Sequence, residues 1–314
     1  MNSNDGGTPR HDVAVELIAV VVAVIDGQPV TLTILRGSAL PSGPFALGHR
    51  SLQAGLRDWV EQQTGHPLGY IEQLYTFADR DRMDNDLTRR TISISYLGLT
   101  REDGVEHQPR RDWRNWYDYF PWEDHRNALP PVIEMTIVPR LKHWADEAVV
   151  GAREERWQRV ALSFGLDGRP WNEELVLQRY ELLYEAGLVA EALRGREGAD
   201  EQPLSGREMV ADHRRILATG IARLRSKIKY RPVVFELMPP SFTLLQLQRT
   251  VEALAGRLVH KQNFRRLIEQ QELVEETGET TTETGGRPAK LFRFRPAVLM
   301  ERTVAGTKLP IARA

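Results

Sequence analysis

GLRDWVEQQTG, residues 55–65, sets the architecture of the N-terminal half. Together with Leu52, the apolar residues Leu56, Trp59 and Val60 recur at helical spacing, and Gly65 is placed to end the helix. The flanking segments have a different period. Residues 13–25 form a run rich in Val and Ile whose apolar centre, 17–25, is far too short for a membrane span, so a buried strand is predicted. A turn at Asp26-Gly27 separates it from a second strand over 30–35, and LPSGP (40–44) is a loop. Further strands are expected at 91–99 and 132–138, with the aromatic loop DWRNWYDYFPW between them serving mainly local packing. Strands on both sides of an amphipathic helix predict a mixed α/β domain.

The 314 residues are enough for two or three domains. A 41% hydrophobic content and seven tryptophans supply buried cores and exclude global disorder. With no cysteine, disulfides and thiolate chemistry are excluded, which suits a reducing cytoplasm, the expected location. Residues 1–12 read as a polar tail without a signal-peptide core, and no membrane contact is expected. The net charge of -1 means that any nucleic-acid surface must come from local sorting of charge.

Such sorting occurs near the C-terminus. Residues 141–230 are mainly helical in pattern, with helices over 173–186 and 207–229 joined by a flexible Gly- and charge-rich connector at 194–206. Arg231-Pro232 ends the second of these. Thr243 and Gln246 then have the spacing of a capping box, followed by the stripe Leu247, Val251 and Leu254 and a stop at Gly256. A second helix over 260–271 turns Phe264, Leu267 and Ile268 inward, and segments 273–276 and 291–294 can pair as a hairpin. Helix, turn, helix and two-stranded wing is the winged helix-turn-helix plan. Lys261, Gln262, Asn263, Arg265 and Arg266 lie on or near the outer side of the second helix, where a recognition helix meets the major groove; Asn263 is alternatively a cap. Thr284, Arg287 and Lys290 are expected to reach DNA from the wing. From 257 to 295 eight Lys/Arg face six Glu, the basic groups falling on the helix front and the second half of the wing. A solvated helix face beside a charged hairpin is the alternative reading of the same pattern.

Residues 55–65 and their surroundings also resemble the Nudix fold, whose box reads G-x5-E-x7-R-E-U-x-E-E-x-G-U. Its glutamates hold divalent ions that activate water, work that needs clustered anionic oxygens. Aligned on Thr64-Gly65, the paired glutamates fall on Gln62 and Gln63 and the preceding one on Trp59. Aligned on Gly43 and Arg57, Asp58 and Glu61 are recovered, but His49 takes the first glutamate position and Gln62 the last. Either register loses much of the acidic pattern, so no catalytic residue and no metal site are assigned. The alternative, a metal-dependent hydrolase of a nucleoside diphosphate derivative, would use Asp58 and Glu61.

Longer segments match in order. EQLYTFADRDR (72–82), RRTISISYLGL (89–99), ADHRRILATGIARLRSKIKYRPVVFELMPPSFTLLQLQ (211–248), NFRR (263–266) and GRPAKLFRF (286–294) resemble the NrtR-like, Nudix-related bacterial transcriptional regulators of NAD metabolism. The extra segment at 141–208 and the Gln-containing helix are similar to the alphaproteobacterial NadQ-type branch. The resemblance implies an α/β (α+β) fold: a Nudix-like mixed sheet with helices, a helical connecting region and a C-terminal winged helix-turn-helix. It divides the chain into a tail (1–12), a Nudix-like effector-sensing domain (13–140), a helical connector or dimerisation region (141–230), a DNA-binding domain (231–300) and a second tail (301–314). It further implies a homodimeric repressor of NAD biosynthesis genes on a palindromic operator in double-stranded DNA. No cofactor is required, and the effector is NAD, ADP-ribose or ATP. Arg36, Phe77, Arg80, Arg82 and Arg89 are the expected suppliers of phosphate and adenine contacts. For these arginines, ion pairs with Asp79, Asp81 or Asp84 are the competing use, and for Phe77 it is the core.

Overall fold

The computed structural model describes residues 13–79, 90–101, 112–194, 203–230, 233–282 and 288–295. Its centre is β1 (Val13–Ile25), an apolar strand buried on both faces. Because side chains alternate across a sheet, Ile18, Val20, Val22 and Val24 enter one core, while Leu17, Ala19, Val21 and Ala23 enter another. Asp26 and Gly27, with φ of 50° and 70°, turn the chain into β2 (Gln28–Leu32), the positive-φ pair of a two-residue hairpin loop. β3 (Ser42–Pro44) pairs with the start of β1, and the sheet runs in the order β4 (Tyr70–Phe77), β5 (Arg90–Leu99), β1, β2, β6 (Trp113–Asn115). β5 is parallel to β1, and the other pairings are antiparallel.

One face is covered by α1 (Leu52–Thr64), N-capped by Ser51 and ended by Gly65 at φ 70°; it buries Leu56 and Val60 against the odd-numbered side of β1. The other face carries the rest of the chain. The aromatic segment after β6 is core rather than a loop packed on itself: Trp116, Tyr119, Phe120 and Trp122 are fully buried. Around it lie α2 (Val138–Asp146), α3 (Val150–Phe164), α4 (Val176–Glu185), the short α5 (Ala190–Leu193) and α6 (His213–Tyr230). Then come α7 (Leu244–Ala255), α8 (Lys261–Gln270) and the hairpin β7 (Val274–Thr281) and β8 (Ala289–Phe294). Ile18 of the sheet and Ile268 of α8 belong to the same continuous core.

Other sequence expectations also need correction, beginning with the loop predicted at 40–44, which contains strand β3. Residues 132–138 are helical, not a strand: Ile133–Ile137 is a π turn, closed by Val138 N–H bonding Ile133 O, that runs into α2. The burial there falls on Ile133, Ile137, Leu141 and Ala145, a four-residue stripe that wins over the β-branched composition. The wide turn sits just before Pro139, which has no N–H to bond back. The second strand ends at Leu32, and 35–37 form a left-handed turn instead of its continuation. The helix expected from 207 starts at His213, because Ala211 is held at φ 43°, outside helical space. Among the described residues no helix is long and apolar enough to cross a membrane.

Candidate functional site

The box-like region is fastened to itself by residues that the alignments set at the box's acidic positions. The Gln63 amide clasps the Ser42 backbone: Ser42 N donates to Gln63 Oε1 at 3.1 Å, and Gln63 Nε2 donates to Ser42 O at 2.7 Å. Trp59 Nε1 donates to Pro44 O at 3.0 Å, and its indole lies so close to Gly43 that a Cβ there would be 2.3 Å from the ring. His49 Nδ1 accepts from Ala46 N at 3.1 Å and meets Trp59 edge-on. These three side chains pin β3 and its loop onto α1, whereas Asp58, Glu61 and Gln62 are exposed. Among the described residues no three His, Cys, Asp or Glu side chains converge on one ion position. A neutral amide bonded on both sides is poorly suited to neutralise a hard dication. One carboxylate that the motif search passed over is Glu16 of β1. Burial raises its pKa, against hydrogen bonds from Ser42 and Ser93 that lower it. Its only signal was an acid interrupting an apolar strand.

Of the expected effector residues, the two described ones, Arg36 and Phe77, stand apart. Arg36 sits in the left-handed turn after β2, not on the strand, and Phe77 is buried at the end of β4. β5 and β1 lie between β4 and β2, a lateral gap of roughly 14 Å at strand spacing. Arg80, Arg82 and Arg89 lie outside the described residues. Phe77 borders a groove of about 520 Å³ with Tyr75, Leu162, Leu177, Arg215 and Thr219, where β4 meets α3, α4 and α6. The Arg215 guanidinium stands 5.0 Å over the Phe77 ring and is bonded by Asp79, Glu181 and Asp212. Its charge is already matched, so the groove suits an apolar or aromatic group better than a phosphate.

At the other end, α7 opens with the complete capping box: Gln246 N donates to Thr243 Oγ1 and Thr243 N to Gln246 Oε1. α8 buries Phe264 and Ile268 and presents Lys261, Gln262, Asn263, Arg265 and Arg266 to solvent. Asn263 makes no capping bond, since His260 is the N-cap. Among the described residues Lys261, Arg265 and Arg266 have no carboxylate partner, so their charges are open to an external anion. The wing differs. Lys290 bonds Glu276 at 2.8 Å, Arg293 bonds Glu275 at 2.7 Å and Arg295 bonds Glu272 at 2.5 Å. Thr284 and Arg287 lie outside the described residues. Phe242 adds a bridge to Phe292, tying the hairpin to the strand-like entry of α7.

Between the sheet and α7 lies a buried ionic junction that nothing in the sequence pattern announced. Glu123 accepts from Arg179 Nε at 2.6 Å and from Arg225 Nη1 at 2.6 Å, with all three side chains inaccessible. Burial pushes the Glu123 pKa up, but the two guanidinia outweigh it and hold the carboxyl below its usual range. The same groups grip the end of α7. Arg225 Nε donates to Leu254 O at 2.9 Å, Tyr117 Oη donates to Ala253 O at 2.7 Å, and His125 N donates to Gly256 O at 2.7 Å. Gly256 has to be glycine here, since a Cβ would stand 2.3 Å from Glu123 O.

Comparison with known proteins agrees with this geometry. Residues 234–294 match the family described as the NrtR DNA-binding winged helix domain. A curated relative from Acinetobacter baylyi, the "ADPR responsive transcriptional repressor NtrR", is 39% identical over 87 residues, which is 28% of this chain and 34% of that protein. The chain thus spans about a third of the length of that relative. Among solved structures, Shewanella oneidensis NrtR complexed with a 27mer DNA has a similar fold, with TM-score 0.55 and 20% identity over 94% of this chain and 99% of that one. A MutT/nudix family protein from Enterococcus faecalis is similar at TM-score 0.51 and 17% identity, over 90% and 87% of the two chains. Residues 234–294 are thus an NrtR-like DNA-binding winged helix domain, on a chain whose fold is similar to those of NrtR and a MutT/nudix family protein.

Proposed function

We propose that this protein is a DNA-binding transcriptional repressor of NAD biosynthesis genes, whose Nudix-like part senses an adenine nucleotide without hydrolysing it. The observation that carries the reading is the outer face of α8. Among the described residues Lys261, Arg265 and Arg266 have no carboxylate partner, and they lie within a segment matching a DNA-binding domain. Unpaired cations early on the second helix supply both phosphate attraction and base contacts. ADP-ribose is the preferred effector among NAD, ADP-ribose and ATP, because the curated relative is described as ADPR responsive. The bonded Gln63 and Trp59 support sensing rather than hydrolysis, since neither supplies an anionic oxygen for a metal. The working unit is a cytoplasmic homodimer that sets two readers (231–300) on a palindromic operator, with residues 13–140 as sensor and 141–230 as connector. Arg36 and Arg80, Arg82 and Arg89 are the proposed phosphate contacts, and Arg287 the wing contact.

The test is a titration of the full chain against promoter DNA from NAD biosynthesis genes of the source genome, at fixed salt, with and without ADP-ribose. Promoter DNA should bind in preference to scrambled DNA of equal length, weaken as salt rises, and respond to ADP-ribose. Equal affinity for promoter and scrambled DNA would remove the repressor reading.

A further inference from the structure

The turn after β2 carries a second cluster of cations. Leu35, Arg36 and Gly37 take φ of 49°, 58° and 97° in succession, a conformation costly for the two residues that carry a Cβ. The turn is held from outside. Arg207 Nη1 donates to Arg36 O at 2.8 Å, and Tyr119 Oη donates to Gly37 O at 2.6 Å. Arg207 is itself placed by its backbone N–H on Asp118 O at 2.7 Å, and Val210 N bonds Ser38 O. Arg114 enters from β6, whose register sets it opposite Thr31.

Arg207 and Arg114 converge. The point where a Cβ on Gly37 would sit is 2.9 Å from Arg207 Nη1, 3.1 Å from Arg114 Nε and 3.2 Å from Tyr119 Oη. Two guanidinia gathered about one point repel, and an anion beside them would offset that repulsion. Among the described residues neither guanidinium has a carboxylate partner, in contrast to Arg179, Arg214, Arg215 and Arg225. The Arg114 Nε is buried with no acceptor, the kind of orphan donor that marks a missing partner. Tyr119 is already committed as a donor to Gly37 O, and burial pushes its pKa up to about 12 with Arg207 and Arg114 opposing. The charged groups acting on Tyr119 are thus Arg207, Arg114 and Arg214, against a single carboxylate, the exposed Asp118.

We infer that Arg114 and Arg207, clasped about the 35–37 turn, form an anion site for the phosphate oxygens of a small phosphorylated ligand. The planar fork of each guanidinium matches a phosphate or diphosphate edge, and exposed Arg207 leaves the site open to solvent. A nucleoside diphosphate and free pyrophosphate share this chemistry. The inference deepens the proposed nucleotide sensing by adding two residues outside the matched Nudix segments. β6 also leads directly to Tyr117, whose hydroxyl bonds the end of α7, so an anion here lies next to the junction with the reader.

The test is calorimetric titration of the DNA-free full chain with inorganic pyrophosphate and, separately, ADP-ribose, at constant ionic strength. Saturable binding of pyrophosphate is expected, weakened about tenfold or more by Arg207→Ala or Arg114→Gln. Arg207→Lys keeps the charge but loses the fork and should fall between, which separates anion binding from loss of fold. Absence of saturable heat in the wild type, or equal affinity in all variants, overturns the inference. If ADP-ribose binds the wild type and both variants alike, this site falls while nucleotide sensing stands. If pyrophosphate binds here but ADP-ribose leaves DNA affinity unchanged, the site stands and the effector assignment falls.

Discussion

Glu123→Gln removes the carboxylate shared by two fully buried guanidinia while keeping nearly the same volume. Removing one partner of a buried ion pair costs about 3–5 kcal/mol, because the opposite charge stays behind without compensation. Here the lower end applies. Arg179 keeps Ser163 O and Asn172 O as acceptors, Arg225 keeps Leu254 O and Glu173 O, and the glutamine carbonyl still accepts one bond. A loss of about 3 kcal/mol, at about 2 °C per kcal/mol for a chain of this size, lowers Tm by about 6 °C. Intrinsic fluorescence during thermal and urea unfolding reads this directly, since Trp116, Trp122 and Trp171 surround the junction. The pH dependence carries a second signature. The Glu123 pKa is depressed in the folded state from 4.5, so its contribution is complete above that value and is lost as pH falls through the folded value. The gap between wild type and Glu123→Gln should therefore close under acid. A variant whose Tm stays within about 1 °C of wild type at neutral pH refutes the account of the junction.

Arg266→Ala should weaken promoter binding by about 1–3 kcal/mol, whereas Lys290→Ala, whose charge is matched by Glu276, should cost under about 1 kcal/mol; anisotropy titrations at several salt concentrations compare them. His213 Nδ1 accepts from Leu40 N at 2.9 Å, and burial lowers its pKa to about 4 from 6.5, so the unfolded chain takes up the proton first as pH falls. Stability should decline between those values by up to about 1.4 kcal/mol per pH unit for this group, with a shallower slope in His213→Gln on urea titrations across that window. Gln63→Glu sets a carboxylate oxygen against Ser42 O in place of a donor. It should destabilise by about 0.5–1.5 kcal/mol without creating Mg2+-dependent turnover of ADP-ribose, as a product assay would show.

What the sequence revealed was local chemistry. Ser51 and Gly65 bracket α1, Thr243 and Gln246 cap α7, and Phe264 and Ile268 mark the inner face of α8, because each device acts within one or two helical turns. Residues 132–138 misled because their composition is β-like while their burial period is helical, a distinction that tertiary packing decides. The junction was illegible for another reason. Glu123 meets Arg179 and Arg225 across 56 and 102 residues of chain, and nothing in PWED or in either helix announces a long-range partner. The same holds for Arg114 and Arg207, which only the β2–β6 register and the bends around 206–212 bring together.

The junction also constrains how an effector could act on the reader. The end of α7 is bonded by Tyr117, Arg225 and His125, and its buried face shares a core with β1. Swinging the reader as a free body would break three hydrogen bonds and expose part of that core, at a cost of several kcal/mol. A typical coupling between two sites is worth about 1–3 kcal/mol, too little to support such a motion. In the proposed dimer, the less costly response is to shift one whole chain against its partner, altering the spacing of two readers that stay docked. Amide exchange at Gly256, whose N–H bonds Glu252 O at 2.9 Å beside the junction, distinguishes these routes. Its protection should be unchanged by ADP-ribose; faster exchange with ADP-ribose bound means that the reader undocks, and the rigid-junction argument fails.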